Sequence, residues 1–244
     1  MPAETPTIVA TSIGFPSRQR GAIDLRAGPI YRFAADLARP SGTPRLCLVA
    51  TATGDAAPGL IDAYTALAHT DMHVSHLSLF SMPNVPDVRA HLLRQDVIWV
   101  GGGSVVNLLA VWRAHGLDRI LYECWQSGVV IGGVSAGSLC WHVGGTTDSF
   151  GHQLQPILNA LGWLPYANGV HYDSEPQRRP LLEALVAEGR LPTAYATDDG
   201  VGLIYRGTEM TEAVTQLDGK LAYLVERGDD GKAHETRITP RLLA

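Results

Sequence analysis

The chain is poor in cysteine, with only Cys47, Cys124 and Cys140 among 244 residues. Three is an odd number and no CxxC pair occurs, which excludes a disulfide framework and a zinc knuckle. A surplus of positive charge is also missing. Nineteen Lys and Arg stand against 24 Asp and Glu, a net charge of −5 without a basic block, so the electrostatic footprint of a nucleic-acid binder is absent. Long hydrophobic runs are missing too: the apolar stretches have strand length and the mean hydropathy is +0.04. Met1-Pro2-Ala3-Glu4 carries no basic region leading into an apolar one. Neither a signal peptide nor a membrane partner is therefore expected, and the cytoplasm is the default compartment. No repeat, linker or low-complexity segment interrupts the chain, so residues 1–244 are expected to form one domain.

What is present is an α/β pattern. Hydrophobic residues make up 45% of the chain, enough for a large core. The runs Thr7 to Ile13, Leu46 to Ala50, Val74 to Phe80, Val97 to Val100 and Val129 to Val134 read as strands. Between them, Gly28 to Ala38, Leu60 to Ala68, Val105 to His115 and Leu117 to Ser127 place apolar residues at helical spacing. Strand, helix, strand in that order predicts a mainly parallel central sheet covered by helices on both faces. From Gly200 the segments shorten: Val201 to Tyr205, Ala213 to Gln216, Ala222 to Glu226 and Glu235 to Ile238. Asp218-Gly219 and Asp230-Gly231 lie between neighbours and read as hairpin turns, predicting antiparallel C-terminal strands.

The most informative segment is Val129-Val130-Ile131-Gly132-Gly133-Val134-Ser135-Ala136-Gly137. An apolar strand runs into a Gly-x-Ser-x-Gly turn and then a helix-compatible stretch, the context of a nucleophile elbow. Such a serine adopts a strained backbone, larger side chains two positions away would collide, and the following helix N-terminus favours developing negative charge. The bland reading of the same residues is a tightly packed glycine turn. A second turn, Gly101-Gly102-Gly103-Ser104, follows the strand ending at Val100 and belongs to the same carboxyl edge. There the N–H groups of Gly102 and Ala136 are candidates for an oxyanion hole. A dinucleotide loop starting at Gly101 would need glycine where Val106 stands, and Gly231-Lys232 is followed by Ala233, so no nucleotide cofactor is expected.

A serine nucleophile needs a base, and nine histidines compete. His171, in Asn168-Gly169-Val170-His171-Tyr172-Asp173, sits in a strand-end loop that can reach back across the sheet edge. His142 would lie two turns along the elbow helix, pointing away. His69, His73 and His76 have metal-like spacing but no matching acidic ligand, so a solvated helix end and a polar strand face explain them and no metal is expected. His91, His115 and His152 belong to no motif. For the carboxylate, Asp199 in Thr197-Asp198-Asp199-Gly200 precedes a strand, although Asp-Asp-Gly is also ordinary turn chemistry. Asp148 is a rival, and Ser135, Asp199 and His234 in hydrolase order form another. His234 ranks lower because Gly228 to Thr236 is polar.

Taken together, Gly101-Gly102-Gly103-Ser104 with Asn107-Leu108-Leu109, Gly133-Val134-Ser135-Ala136-Gly137, His171, and Asp198-Asp199-Gly200 resemble the dipeptidase E and cyanophycinase group of serine peptidases. The likeness runs from about Ile8 to Tyr205. It implies a flavodoxin-like, class I glutamine amidotransferase-like fold and a triad of Ser135 as nucleophile, His171 as general base and an acid at Asp199. Family members often carry Glu at that last position, and Asp148 matches an acidic position also considered for the role. Dipeptidase E enzymes cleave dipeptides with an N-terminal aspartate, and cyanophycinases cleave β-aspartyl-arginine units. A small acidic peptide is thus the implied substrate, no cofactor is implied, and a homodimer is the oligomer to test. Arg178 or Arg179 would fork the substrate carboxylate, their plainer role being to cap or solvate a helix starting near Pro180. An esterase sharing only the elbow and a non-catalytic amidotransferase-like module are the competing readings. Glutaminase chemistry is disfavoured, because serine stands where those enzymes use cysteine.

Overall fold

Parallel strands covered on both faces need apolar residues on both. The segments β1 (Thr7–Thr11), β2 (Arg45–Val49), β4 (Val97–Val100) and β5 (Val130–Val134) supply them, with β3 (His73–Leu77) as a half-exposed edge. In the computed structural model, which describes residues 3–15 and 25–243 and so leaves Met1 and Pro2 outside, they pair in the order β1-β5-β4-β2-β3 with every pair parallel. Successive side chains point to opposite faces. Val9, Leu46, Leu48, Val97 and Trp99 accordingly pack beneath α1 (Pro29–Ala38) and α2 (Ala57–Leu67). Ile8, Ala10, Cys47, Val49, Ile98 and Val100 pack beneath α3 (Val88–Leu93), α4 (Val105–His115) and α5 (Leu117–Gln126). Local chemistry sets the helix ends: Pro29 opens α1, Ser104 Oγ accepts from Asn107 N–H at the start of α4, and left-handed Gly116 closes it.

Beyond the elbow the chain builds a second sheet. It contains β6 (His142–Thr147), β7 (Gln155–Ile157), β8 (Leu164–Gly169), β9 (Ala194–Thr197), β12 (Ala222–Arg227) and β13 (Ala233–Ile238), in the order β13-β12-β9-β8-β6-β7. α7 (Arg178–Ala187) covers one face through Leu182, Leu185 and Val186. Between β9 and β12, β10 (Val201–Arg206) returns antiparallel to β1 and is followed by β11 (Glu209–Thr215); with β14 (Arg241–Leu242) they complete an eight-stranded first sheet. Leu164 and Ala222 of the second sheet share a buried cluster with Ile8 and Tyr205 of the first. Among the described residues no helix is long and apolar enough to cross a membrane.

Two expectations change, and three strands carry no signal in the sequence. Asp218-Gly219 is not a hairpin: it lies between β11 in one sheet and β12 in the other. The hairpin turn is instead Gly207-Thr208, where Arg206 pairs with Glu209 and Gly207 has φ 57°. The helix after the elbow, α6, is the single turn Ala136–Leu139, so His142 opens β6 rather than lying two turns along a helix. Finally, β6, β7 and β8 give no period-two signal, because HVGGTT, QPI and LPYANG are rich in residues with weak strand preference. Tertiary pairing, not local propensity, makes them strands.

Candidate active site

The elbow has the geometry its sequence requires. Ser135 stands between β5 and α6 at φ 57° and ψ −111°, a sparsely populated region for a residue with a side chain. Its N–H donates to Thr11 O at 3.0 Å, and its own carbonyl accepts from Ser138 and Leu139 N–H, fixing the turn from both sides. A β-carbon on Gly133 would fall 2.4 Å from Gly137 O, and one on Gly137 would fall 2.3 Å from Val100 O. Only glycine fits at either place.

Gly102 lies directly alongside. A β-carbon built on it would come within 3.2 Å of Ser135 Cβ and 3.8 Å of Ser135 Oγ. Among the described residues, neither Gly102 N–H nor Ala136 N–H is taken up by a hydrogen bond. Two unengaged amides therefore flank the serine, one on the turn after β4 and one at the first position of α6.

His171 follows β8 at φ 54°. Its N–H donates to Ser12 Oγ at 3.0 Å, and Ser12 Oγ is in turn 2.7 Å from Thr197 Oγ1 at the end of β9. The His171 ring Nδ1 lies 2.5 Å from Asp199 Oδ1. A carboxylate only accepts, so the proton of this bond sits on Nδ1 and the ring's Nε2 is left unengaged by Asp199. Asp199 N–H donates to Asp173 Oδ1 at 2.8 Å, and Gly200 N–H to Ser12 O at 3.0 Å. Ser135, His171 and the Asp199-Gly200 turn thus all hang on two consecutive residues, Thr11 and Ser12, at the carboxyl end of β1. No hydrogen bond joins Ser135 Oγ to His171, a separation common before substrate tightens such sites.

The neighbouring carboxylates have other partners. Asp198 accepts from Leu221 N–H at 3.0 Å, and burial raises its pKa. Burial also acts to raise Asp173, but the Lys220 ammonium and the Asp199 N–H outweigh it and hold it below the usual carboxylate range. Asp148 is exposed in the turn after β6 and lines a cleft of about 510 Å³ with Glu175 and Gln177. The carboxylate bonded to His171 is that of Asp199.

The other histidines separate as clearly. His234 Nε2 bonds Asp230 at 2.9 Å within the β12–β13 hairpin. His142 is fully buried between Ser138 O at 3.0 Å and Tyr205 OH at 3.1 Å, and burial pushes its pKa down to about 3. His69 and His73 are exposed, and His76 bonds Tyr64 OH at 2.8 Å. No cluster of metal-ligating side chains occurs among the described residues. All three thiols are buried, which pushes Cys47 and Cys124 up to about 12 and Cys140 well above its ordinary value.

The two arginines assigned to the substrate carboxylate are already engaged. Arg178 is 2% exposed, bonds Glu175 at 2.8 Å and donates to Thr146 O, so it ties α7 to β6. Arg179 lies over the Tyr172 and Tyr223 rings at 4.4 and 4.6 Å and bonds Glu235 at 2.5 Å. The expectation for Arg178 is corrected, because a buried guanidinium turned into the α7–β6 contact offers no fork to a ligand, whereas Arg179 is held by Glu235 and the two tyrosines with its side chain 36% exposed. The residues that sequence reasoning missed are Thr11, Ser12 and Asp173. Ser12 gives one faint signal, a small polar residue directly after the β1 strand.

With that geometry in place, comparison with known proteins is informative. The model of peptidase family S51 matches residues 31–213. The uncharacterized peptidase YgaJ of Bacillus subtilis is 41% identical over 182 residues, covering 75% of this chain and 78% of the relative. Peptidase E of Shewanella denitrificans is 27% identical over 161 residues, covering 61% and 67%. Two solved structures share the fold. One is a peptidase from an acI-B1 actinobacterium, with a TM-score of 0.68, 17% identity and coverage of 97% and 95%. The other is a Listeria monocytogenes protein assigned as a peptidase E, with a TM-score of 0.59, 15% identity and coverage of 96% and 98%.

Proposed function

Because the chain belongs to peptidase family S51 and is a peptidase, we propose that it hydrolyses short peptides with an N-terminal aspartate through Ser135, His171 and Asp199. The observation that supports this reading most is the His171–Asp199 bond at 2.5 Å on the same β1 end that anchors the strained Ser135.

Ser135 Oγ attacks the peptide carbonyl as His171 Nε2 takes its proton. Asp199 holds the Nδ1–H tautomer and stabilises the imidazolium that forms. The carbonyl oxygen becomes an oxyanion between Gly102 N–H and Ala136 N–H, whose fixed dipoles offset the developing charge. The intermediate collapses, the amine leaves with the proton from His171, and water activated by the same imidazole releases the acyl group. Asp173 and Lys220 hold the Asp199 loop, and Ser12 holds the His171 backbone. The preference for an acidic first residue follows from the family likeness.

The test is a dipeptide panel, Asp-Leu, Leu-Leu and a p-nitrophenyl ester, run on wild type and Ser135→Ala with fluorophosphonate labelling in parallel. The expected result is an adduct on Ser135, turnover of Asp-Leu above Leu-Leu, and no turnover by the variant. Retained hydrolysis by Ser135→Ala overturns the nucleophile assignment, and faster ester than Asp-Leu turnover favours a general acyl hydrolase.

A further inference from the structure

A second concavity reaches the elbow, and its chemistry differs from that of the 510 Å³ cleft with its acidic residues. It encloses about 180 Å³ on the α1/α2 face of the first sheet. Phe15, Tyr31, Leu48, Leu60, Ala63 and Trp99 are among the apolar side chains of its wall. The aromatic part is braced from within: Phe15 stacks on Tyr31 at 5.3 Å, and Tyr31 packs on Trp99 at 4.8 Å. None of the described lining residues is charged. Gly102 and Val134 close the end nearest the elbow. Gly102 is the residue whose β-carbon would crowd Ser135, and Val134 immediately precedes it. The pocket and the serine therefore share a wall.

We propose that this pocket is a specificity subsite that takes an apolar side chain, of leucine or phenylalanine size, from the leaving residue of the substrate. The inference rests on the serine peptidase reading above. Size supports it: an apolar cavity of about 150 Å³ is known to accept benzene, so 180 Å³ accommodates a phenyl or isobutyl group. Charge assigns the position. An aspartate carboxylate entering an apolar pocket would lose its hydration without a compensating partner. The side chain of the first residue must then lie elsewhere, which leaves the pocket to the second. The missing β-carbon at Gly102 keeps the passage from pocket to Ser135 open.

The test compares kcat/KM for Asp-Leu and Asp-Phe with that for Asp-Gly, and for Ala-Leu with Ala-Gly, on wild type, Ala63→Leu and Leu60→Ala. Ala63→Leu fills the pocket from α2, and Leu60→Ala removes part of its wall. Wild type is expected to favour the apolar leaving residue by about tenfold or more in both series, the discrimination a well-fitted apolar pocket delivers. Ala63→Leu is expected to reduce that ratio to near one, and Leu60→Ala to shift it toward phenylalanine. Because each ratio is taken within one preparation, partial loss of folded protein cancels. A wild-type ratio near one, or a ratio untouched by both variants, overturns the subsite. Loss of the serine reading looks different: no fluorophosphonate adduct forms on Ser135 and Ser135→Ala retains turnover.

Discussion

Replacing Gly137 by alanine tests the elbow at its tightest point. The new β-carbon would lie 2.3 Å from Val100 O, 2.7 Å from Val100 C and 2.8 Å from Val100 Cβ. Ordinary contact begins at 3.4 Å, so the elbow and β4 must part by about 1.1 Å. Neither side yields readily, since Val100 is fully buried and pairs with Gly133 in the sheet. Overpacking a core costs about 1–3 kcal/mol, and a backbone-on-side-chain clash against a sheet belongs at the upper end. For a chain of this length, about 3 kcal/mol lowers Tm by roughly 6–12 °C. Activity is expected to fall further, because moving a reacting group by ~1 Å costs on the order of 100-fold. The assay is a thermal melt with dipeptide hydrolysis on Gly137→Ala beside Gly42→Ala. A β-carbon at Gly42 meets no atom within 4 Å, so that control should stay within about 0.5 kcal/mol of wild type. Wild-type Tm and kcat/KM in Gly137→Ala would refute the steric account of the elbow.

Three further outcomes follow from the same geometry. Asp199→Asn should lower kcat on the order of 10⁴-fold, because an amide no longer holds the Nδ1–H tautomer, whereas His234→Ala should match wild type; equal losses in the two variants would reject the His171–Asp199 couple. His142, neutral in the fold with its pKa near 3, takes up a proton on unfolding below about pH 6.5. The unfolded state then binds more protons, so stability falls as pH drops from 6.5 toward 3, by up to about 1.4 kcal/mol per pH unit. His142→Gln should flatten that slope in urea titrations, and an unchanged slope would contradict it. Ellman's reagent should find none of the three buried thiols in native protein and all three in guanidinium, and iodoacetamide should leave turnover intact; rapid native labelling would contradict their burial.

The parts of the protein legible in the sequence are those whose physics is local. Gly133-Val134-Ser135-Ala136-Gly137 declares an elbow because the strained serine and the small residues its turn requires lie within five positions, although the Val100 backbone that crowds both glycines comes from β4. The strands from Leu46, Val97 and Val129 declare themselves because a strand buried on both faces must be apolar along its whole length. The second sheet is silent by the same logic: Gly, Pro and Asn in β6 and β8 are chosen for cross-strand contacts that do not exist until the sheet forms. Sequence could nominate His171, and could rank Asp199 with Asp148, but their separation in the chain says nothing of distance. The return of β10 beside β1 brings Asp199 to the imidazole, and the β6 turn carries Asp148 to the edge of another cleft. Arg178 shows the limit most sharply. Two adjacent arginines after a histidine read as ligands for an acid, yet one is buried against Thr146 O and the other lies between two tyrosines. Residue type sets which partners a guanidinium accepts, and only the packed chain decides that those partners are already there.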